Sequence, residues 1–385
     1  MSRKKTLSEN DKHELERITK EILSGIRGES SRDTDYLEKK ILKYSGHRLG
    51  KIILGTCFDY TQSDLPPEVT RELGKRLMNY ILRSKRKLDI AGHLVMNDEL
   101  EKGTRLLRKT RREVLAAVYS FGESLANARG FGSFFEESFY TRFYNSKVNT
   151  HPLAHFFSRL YMLKGLIEIK QFEFERARKM WERGLKFTPI NFSLNALYAE
   201  TFRNEGNLDE YRDQTIRLFK IAYRPKQIQR CYHNMGDYYR DQKIYDLAHV
   251  CYDLGLRFTT GDYDNDFYAA CFSLERESGI PHREISEEEL DKICETHGIP
   301  RGPDSDILKF AESSGRFFFD REQFHEALSF LHPLLQLIEP TSDQARINEI
   351  KALTDEAKRR MKEKLAAEIE NNKNDAENDA EDEFL

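Results

Sequence analysis

The chain has 385 residues, enough for two or three ordinary domains or for one extended repeat array, and its formal net charge is −3. Apolar residues make up 39% and charged residues 33%, with 25 Phe and 18 Tyr, a balance that favours amphipathic helices with aromatic cores over wholesale disorder. The five cysteines, Cys57, Cys231, Cys251, Cys271 and Cys294, contain no CxxC pair, which excludes a disulfide framework and a zinc ribbon, and no window approaches the apolar length of a membrane span.

In chain order, the apolar positions Leu15, Ile18, Ile22, Leu23 and Ile26 recur at three- and four-residue steps and predict a helix over 7–26 that stops at Gly28. Further helices are expected over 34–44 and 49–58. Another starts at the Asp64-Leu-Pro-Pro sequence and runs to about Lys87, and a long one spans Asn97 to Asn127. From Arg71 to Arg112 there are 13 Lys/Arg against 5 Asp/Glu, a local excess of +8. Phe134, Phe135, Phe139, Tyr140, Phe143 and Tyr144 then fall at helical spacing. They read as a core helix docking the N-terminal helices onto the C-terminal half of the chain, or as an aromatic edge offered to a partner.

After His151 the sequence becomes self-similar. Gly165, Gly236 and Gly315 are each followed twelve residues later by Ala177, Ala248 and Ala327, and sixteen later by the bulky Trp181, Tyr252 and Leu331. Gly184 and Gly255 follow at offset nineteen, with Leu334 in the third window. Tyr161, Tyr239 and Phe318 fill first-helix positions beside the small residues. Small residues let two helices approach closely while aromatics fill the space beside them, and each pair buries its leftover face on the next.

This pattern resembles the tetratricopeptide repeat family. The resemblance implies an all-α fold, an α-α superhelical solenoid over 151–341 preceded by an N-terminal helical region, 1–150. Clear repeats occupy 158–191, 229–262 and 308–341, and eroded pairs occupy 192–225 and 263–298. Tyr211 stands where Ala is usual and should widen its helix crossing. A capping helix is expected over 342–371 and a disordered acidic tail over 372–385, where like charges accumulate. In the family, first helices line the concave surface. Carried over, that places Arg159, Met162, Leu163 and Leu166 in the groove from the first pair, then Glu200 and Asn204, then Arg230, His233, Asn234, Asp237 and Arg240, and last Lys309, Glu312 and Arg316. Met162 and Leu166 stand where a carboxylate clamp needs Lys and Asn, so chaperone-tail binding is not expected.

No nucleotide-binding loop, zinc-protease motif or nucleophile elbow occurs, and neither His151 with His155 nor Cys294 with His297 and His282 makes a convincing metal set. The residues therefore predict a cytoplasmic, non-enzymatic, cofactor-free scaffold that binds a protein or peptide in the groove. Two rivals stand beside it. One is a peptide-responsive regulatory sensor with the N-terminal helices as output. The other is nucleic-acid binding through the basic segment 71–112, with salt-sensitive affinity.

Overall fold

The computed structural model describes residues 9–25, 83–120, 127–145, 147–151, 153–259, 265–279, 285–340 and 344–382, with Leu125 and a few isolated positions between 36 and 53. Most of the expected helices over 34–44 and 49–58, the segment 64–82 with Arg71 and its basic neighbours, Cys57 and His282 lie outside these residues. The described chain is almost wholly helical. Among the described residues no helix is long and apolar enough to cross a membrane.

Two compact units emerge, the first formed by residues 1–130 and 148–189, the second by 131–147 and 190–385. In the first unit, α1 (Glu9–Leu23) buries Ile18 and Ile22 with Tyr44, Leu49 and Ile53. Its Glu21 accepts hydrogen bonds from Lys40 (2.6 Å), Lys43 (3.1 Å) and the Tyr44 hydroxyl (3.0 Å), which hold the carboxyl at about 2. Residues 83–96 form α2 and Leu100–Ser120 form α3. This corrects the expectation of one helix ending near Lys87 and a second beginning at Asn97: the chain turns at 97–99 instead. The bridge between β1 (Ala128–Arg129) and β2 (Asn149–Thr150) is parallel and joins the strands flanking residues 131–147. α5 (Leu153–Lys170) and α6 (Phe174–Leu185) complete the unit, with α3 packed on α5.

The second unit begins with α4 (Phe134–Phe143), capped by Ser133, whose hydroxyl accepts the Glu136 N–H. Phe135 stacks on Tyr223 with ring centres 4.4 Å apart, and Phe134, Phe135 and Phe139 pack against Phe310 or Phe330. Helices α7 (Phe192–Asn204) and α8 (Leu208–Phe219), α9 (Pro225–Asp241) and α10 (Tyr245–Leu256), α11 (Asn265–Ser278) and α12 (Glu287–His297), and α13 (Ser305–Asp320) and α14 (Phe324–Ile338) succeed one another in order. α12 starts where the run of glutamates meets Ser286, whose hydroxyl accepts the Glu289 N–H.

α15 runs from Gln344 to Asp382. It continues past residue 371 into the segment expected to be a disordered tail. Once a helix is nucleated, each further residue adds a hydrogen bond at small cost, so the change to polar residues does not end it.

The pairs share one contact. A Cβ added at Gly165 would lie 2.0 Å from the Trp181 ring, one at Gly236 2.3 Å from the Tyr252 ring, and one at Gly315 2.6 Å from the Leu331 side chain. They also share one turn. Phe172, Lys243 and Glu322 have left-handed backbone (φ 61°, 63° and 58°), as does Gly206 (φ 77°). At each, the left-handed residue donates its N–H three residues back and the next residue donates five back, as in Glu173 to Glu168 (2.9 Å) and Ile244 to Tyr239 (2.9 Å).

The α2–α3 turn repeats this geometry. Asp98 has φ 61°, and Glu99 donates to the Leu94 carbonyl at 2.8 Å. Ala91, Gly103 and Leu107 stand at offsets of zero, twelve and sixteen, with Ala91 and Leu107 fully buried. α2 and α3 are thus a helix pair of the same register, one that the residue pattern did not disclose.

In the α7–α8 pair, Ala199 keeps the small first-helix position. Tyr211 stands at the alanine offset and Thr215 at the aromatic offset, and both are fully buried. Large and small residues have been exchanged between the two positions, so the side-chain bulk of the interface is redistributed over the same pair of sites.

Candidate functional site

The expected groove residues fall in both units. In the first, Arg159 is half exposed and pairs with Asp89 at 2.6 Å, and Met162 and Leu166 are partly buried. Leu163 is a correction: it is buried in the apolar core with Leu88, Ala91 and Leu107, where α2 covers it. The undetected α2–α3 pair is the reason, since its Gly92 lies against Leu163.

The remaining residues belong to the second unit. α7 and α9 present facing rows, because Glu200, Arg203 and Asn204 recur at one helical turn on α7 and Arg230, His233, Asn234, Asp237 and Arg240 do so on α9. Two arginines make three cross-helix ion pairs between the rows. Arg230 reaches Glu200, and one helical turn further along Arg203 reaches both Asp237 and Asp241, taking the latter in a two-pronged grip at 2.6 and 3.0 Å. Arg203 was not among the expected groove residues, although its spacing of three from Glu200 was visible. Asn204 is exposed.

Asp237 is the hub. Only 5% exposed, it accepts from the Tyr252 hydroxyl (2.8 Å), contacts His233 Nδ1 (3.3 Å) and binds Arg203. Burial pushes its carboxyl up, but His233, Arg203 and Tyr252 outweigh burial and hold it below its ordinary value. Burial likewise opposes charge on Arg203, and Asp241 and Asp237 overcome it, so the guanidinium stays protonated. Tyr252 titrates well above its normal range, through burial and then the Asp237 charge. Arg240 reaches out to Glu277 and Ser273 and also interacts with the Tyr252 hydroxyl of this hub.

Between Arg230 and Asp237, on the same stripe of α9, sits Asn234. It is 0% exposed, and neither its amide nitrogen nor its carbonyl oxygen has a partner among the described residues. The buried Tyr211 hydroxyl and Thr215 hydroxyl on α8 are also unpartnered among those residues. Tyr211 lies within the fields of Asp237, Arg203, Glu200 and Arg230, and burial raises its hydroxyl well above the usual range.

At the last pair, Lys309 is exposed, while Glu312 and Arg316 are engaged by α15. Arg316 reaches Glu349 (2.6 Å) and Glu312 accepts from Arg346 (3.1 Å). α15 therefore occupies the polar face that these residues were expected to offer. No model of a known protein family matches the sequence, and no curated protein is similar to it.

Proposed function

We propose that the protein is a non-enzymatic, cytoplasmic adaptor built as a tetratricopeptide-type α-α solenoid, and that it holds an extended segment of a partner protein on the face shared by α7 and α9. The recurring small-large contact and the repeated left-handed turn support the solenoid reading. The observation that carries the binding site is Asn234. A buried carboxamide with both groups unpaired costs about 1–3 kcal/mol per missing partner. An extended peptide backbone supplies the complementary carbonyl and N–H on one residue.

The Arg230–Glu200 pair beside it is partly exposed, at 44% and 31%, and an ion pair of that exposure contributes only about 0–1 kcal/mol. Moving it aside costs less than satisfying Asn234 gains. The surrounding charges of both signs then set which sequence is accepted.

The test is a selection from a peptide display library on the full-length protein, followed by titration of the enriched peptides. Asn234→Ala is expected to weaken them by at least tenfold and Arg203→Glu to abolish binding. Enriched peptides that bind Asn234→Ala as well as the parent would remove this site.

A further inference from the structure

Phe172 and Met96, 81% and 69% exposed, are the two most exposed large apolar side chains among the described residues. They also stand together. Met96 ends α2 two residues before Asp98, Phe172 follows Lys170 by two in the α5–α6 turn, and Lys170 reaches Asp98 from one helix pair to the other. The tips of two neighbouring turns in the first unit therefore join into one apolar edge. Partly buried Phe174 extends it, edge-on to Phe172 with ring centres 6.5 Å apart.

Phe172 is also the residue least suited to its backbone. The same left-handed turn position is filled by Asp98, Gly206, Lys243 and Glu322 in other pairs. Glycine and aspartate tolerate that conformation, and the polar chains at least end in water. A bulky ring there is unfavourable in backbone and in exposure together. At 81% exposed, its packing within one copy returns little of that cost. A residue held against its own preferences at a surface tip points to a contact made outside the monomer.

The bordering charges choose the occupant. Asp98 closes on Lys170, Glu99 on Lys102, Glu173 on Arg176 (3.6 Å) and Glu175 on Lys179 (2.6 Å), four pairs whose charges cancel. An anionic lipid surface is drawn by cations, and these are already spent on carboxylates. A border of one sign would repel its own copy, whereas a cancelled one lets two copies meet. The two side chains together expose roughly 300 Å² of apolar surface, the size of patch that marks interaction sites. A standard interface buries about 800 Å² per partner, a little over half of it apolar, so this edge supplies the centre of a small, reversible contact.

We infer that this edge is a self-association surface: two copies of the chain pair about a two-fold axis, so that Phe172 and Met96 of each cover those of the other. The four ion pairs form its rim.

Sedimentation equilibrium on the full-length protein, from about 1 to 300 µM, tests this and is expected to show a monomer–dimer equilibrium. Phe172→Gly is expected to weaken the dimer at least tenfold. At low protein concentration the same variant should raise the thermal unfolding midpoint, because glycine accepts the left-handed backbone; a ring kept only for packing would lower it. Lys243→Gly, which gives the same backbone relief in the second unit, should raise the midpoint and leave association unchanged. Met96→Gln serves as a second variant with the same expected loss of dimer. The inference is overturned if the parent stays monomeric across the range, or if Phe172→Gly and Met96→Gln dimerise like the parent. It is equally overturned if mixed phosphatidylcholine–phosphatidylserine vesicles bind a parent that remains monomeric, since the occupant would then be a lipid surface.

Discussion

At Gly165 and Gly236 a hydrogen atom is all the space permits, because a methyl group would enter the Trp181 or Tyr252 ring. Elsewhere in a helix, Gly→Ala stabilises by about 0.8–1 kcal/mol. Here the sign should reverse. Gly165→Ala and Gly236→Ala are expected to cost about 1–3 kcal/mol through overpacking, whereas Gly92→Ala in α2, whose added Cβ meets only Leu163 at 3.6 Å, should gain the usual increment. Denaturant midpoints of the three variants would measure this, and equal signs would refute it.

Asp237 gives a second residue-scale prediction. Its carboxyl is lowered on folding, so its contribution to stability is complete above its unfolded value of about 4 and is lost as pH falls through the lower folded value. Asp237→Asn leaves Arg203 short of a partner and should cost about 3 kcal/mol at pH 7. The gap between variant and parent should begin to narrow below about pH 4 and close only once pH has fallen past the lower folded value. A gap that stays constant in acid denaturation series would show that the carboxylate charge is not what matters.

At the level of helices, the turns and the exchanged pair are the informative features. Lys243 and Glu322 hold a left-handed backbone that costs an L-residue about 1–2 kcal/mol, part of which glycine returns as unfolded-state entropy. Each replaced by Gly should add up to about 1 kcal/mol in equilibrium unfolding. In the α7–α8 pair, Tyr211→Ala alone should cost about 3–5 kcal/mol by leaving a cavity, and adding Thr215→Tyr should recover at least half by restoring the arrangement of the other pairs. A double variant no more stable than Tyr211→Ala would mean that the exchange is not interchangeable volume.

The sequence disclosed those pairs in which glycine met an aromatic or a leucine, because that contrast is rare by chance. It hid α2–α3, where Ala91 and Leu107 soften the contrast into ordinary amphipathicity. The charged residues of the α7–α9 face were legible from spacing. Their pairing was not, since which carboxylate Arg203 reaches depends on how two helices cross, and the isolation of Asn234 is visible only once every neighbour is placed.

For the whole molecule, the partition into two compact units bears on cooperativity. Gly165 lies in the first and Gly236 in the second, so calorimetry should resolve two transitions, with Gly165→Ala lowering one and Gly236→Ala the other. A single transition shifted alike by both would contradict independent units. The chain enters the second unit at Phe131, returns at Val148 and leaves again after Pro189, so the aromatic helix α4, whose spacing reads as a core helix docking on the C-terminal half, packs with α13 and α14 although it precedes the boundary expected at 150.

The left-handed turn also acts as a reading frame. In every pair that has it, it stands seven residues after the small residue of the first helix and five before the next position that meets that helix. One residue inserted inside that interval would rotate the second helix by about 100° and carry Trp181 or Tyr252 away from its glycine. Between pairs the frame is free to slip, as it has done by three residues between Ala199 and Gly236 compared with the step from Gly165 to Ala199. Length variation in this protein should therefore be tolerated at the junctions between pairs and rejected within them, whatever the residues involved.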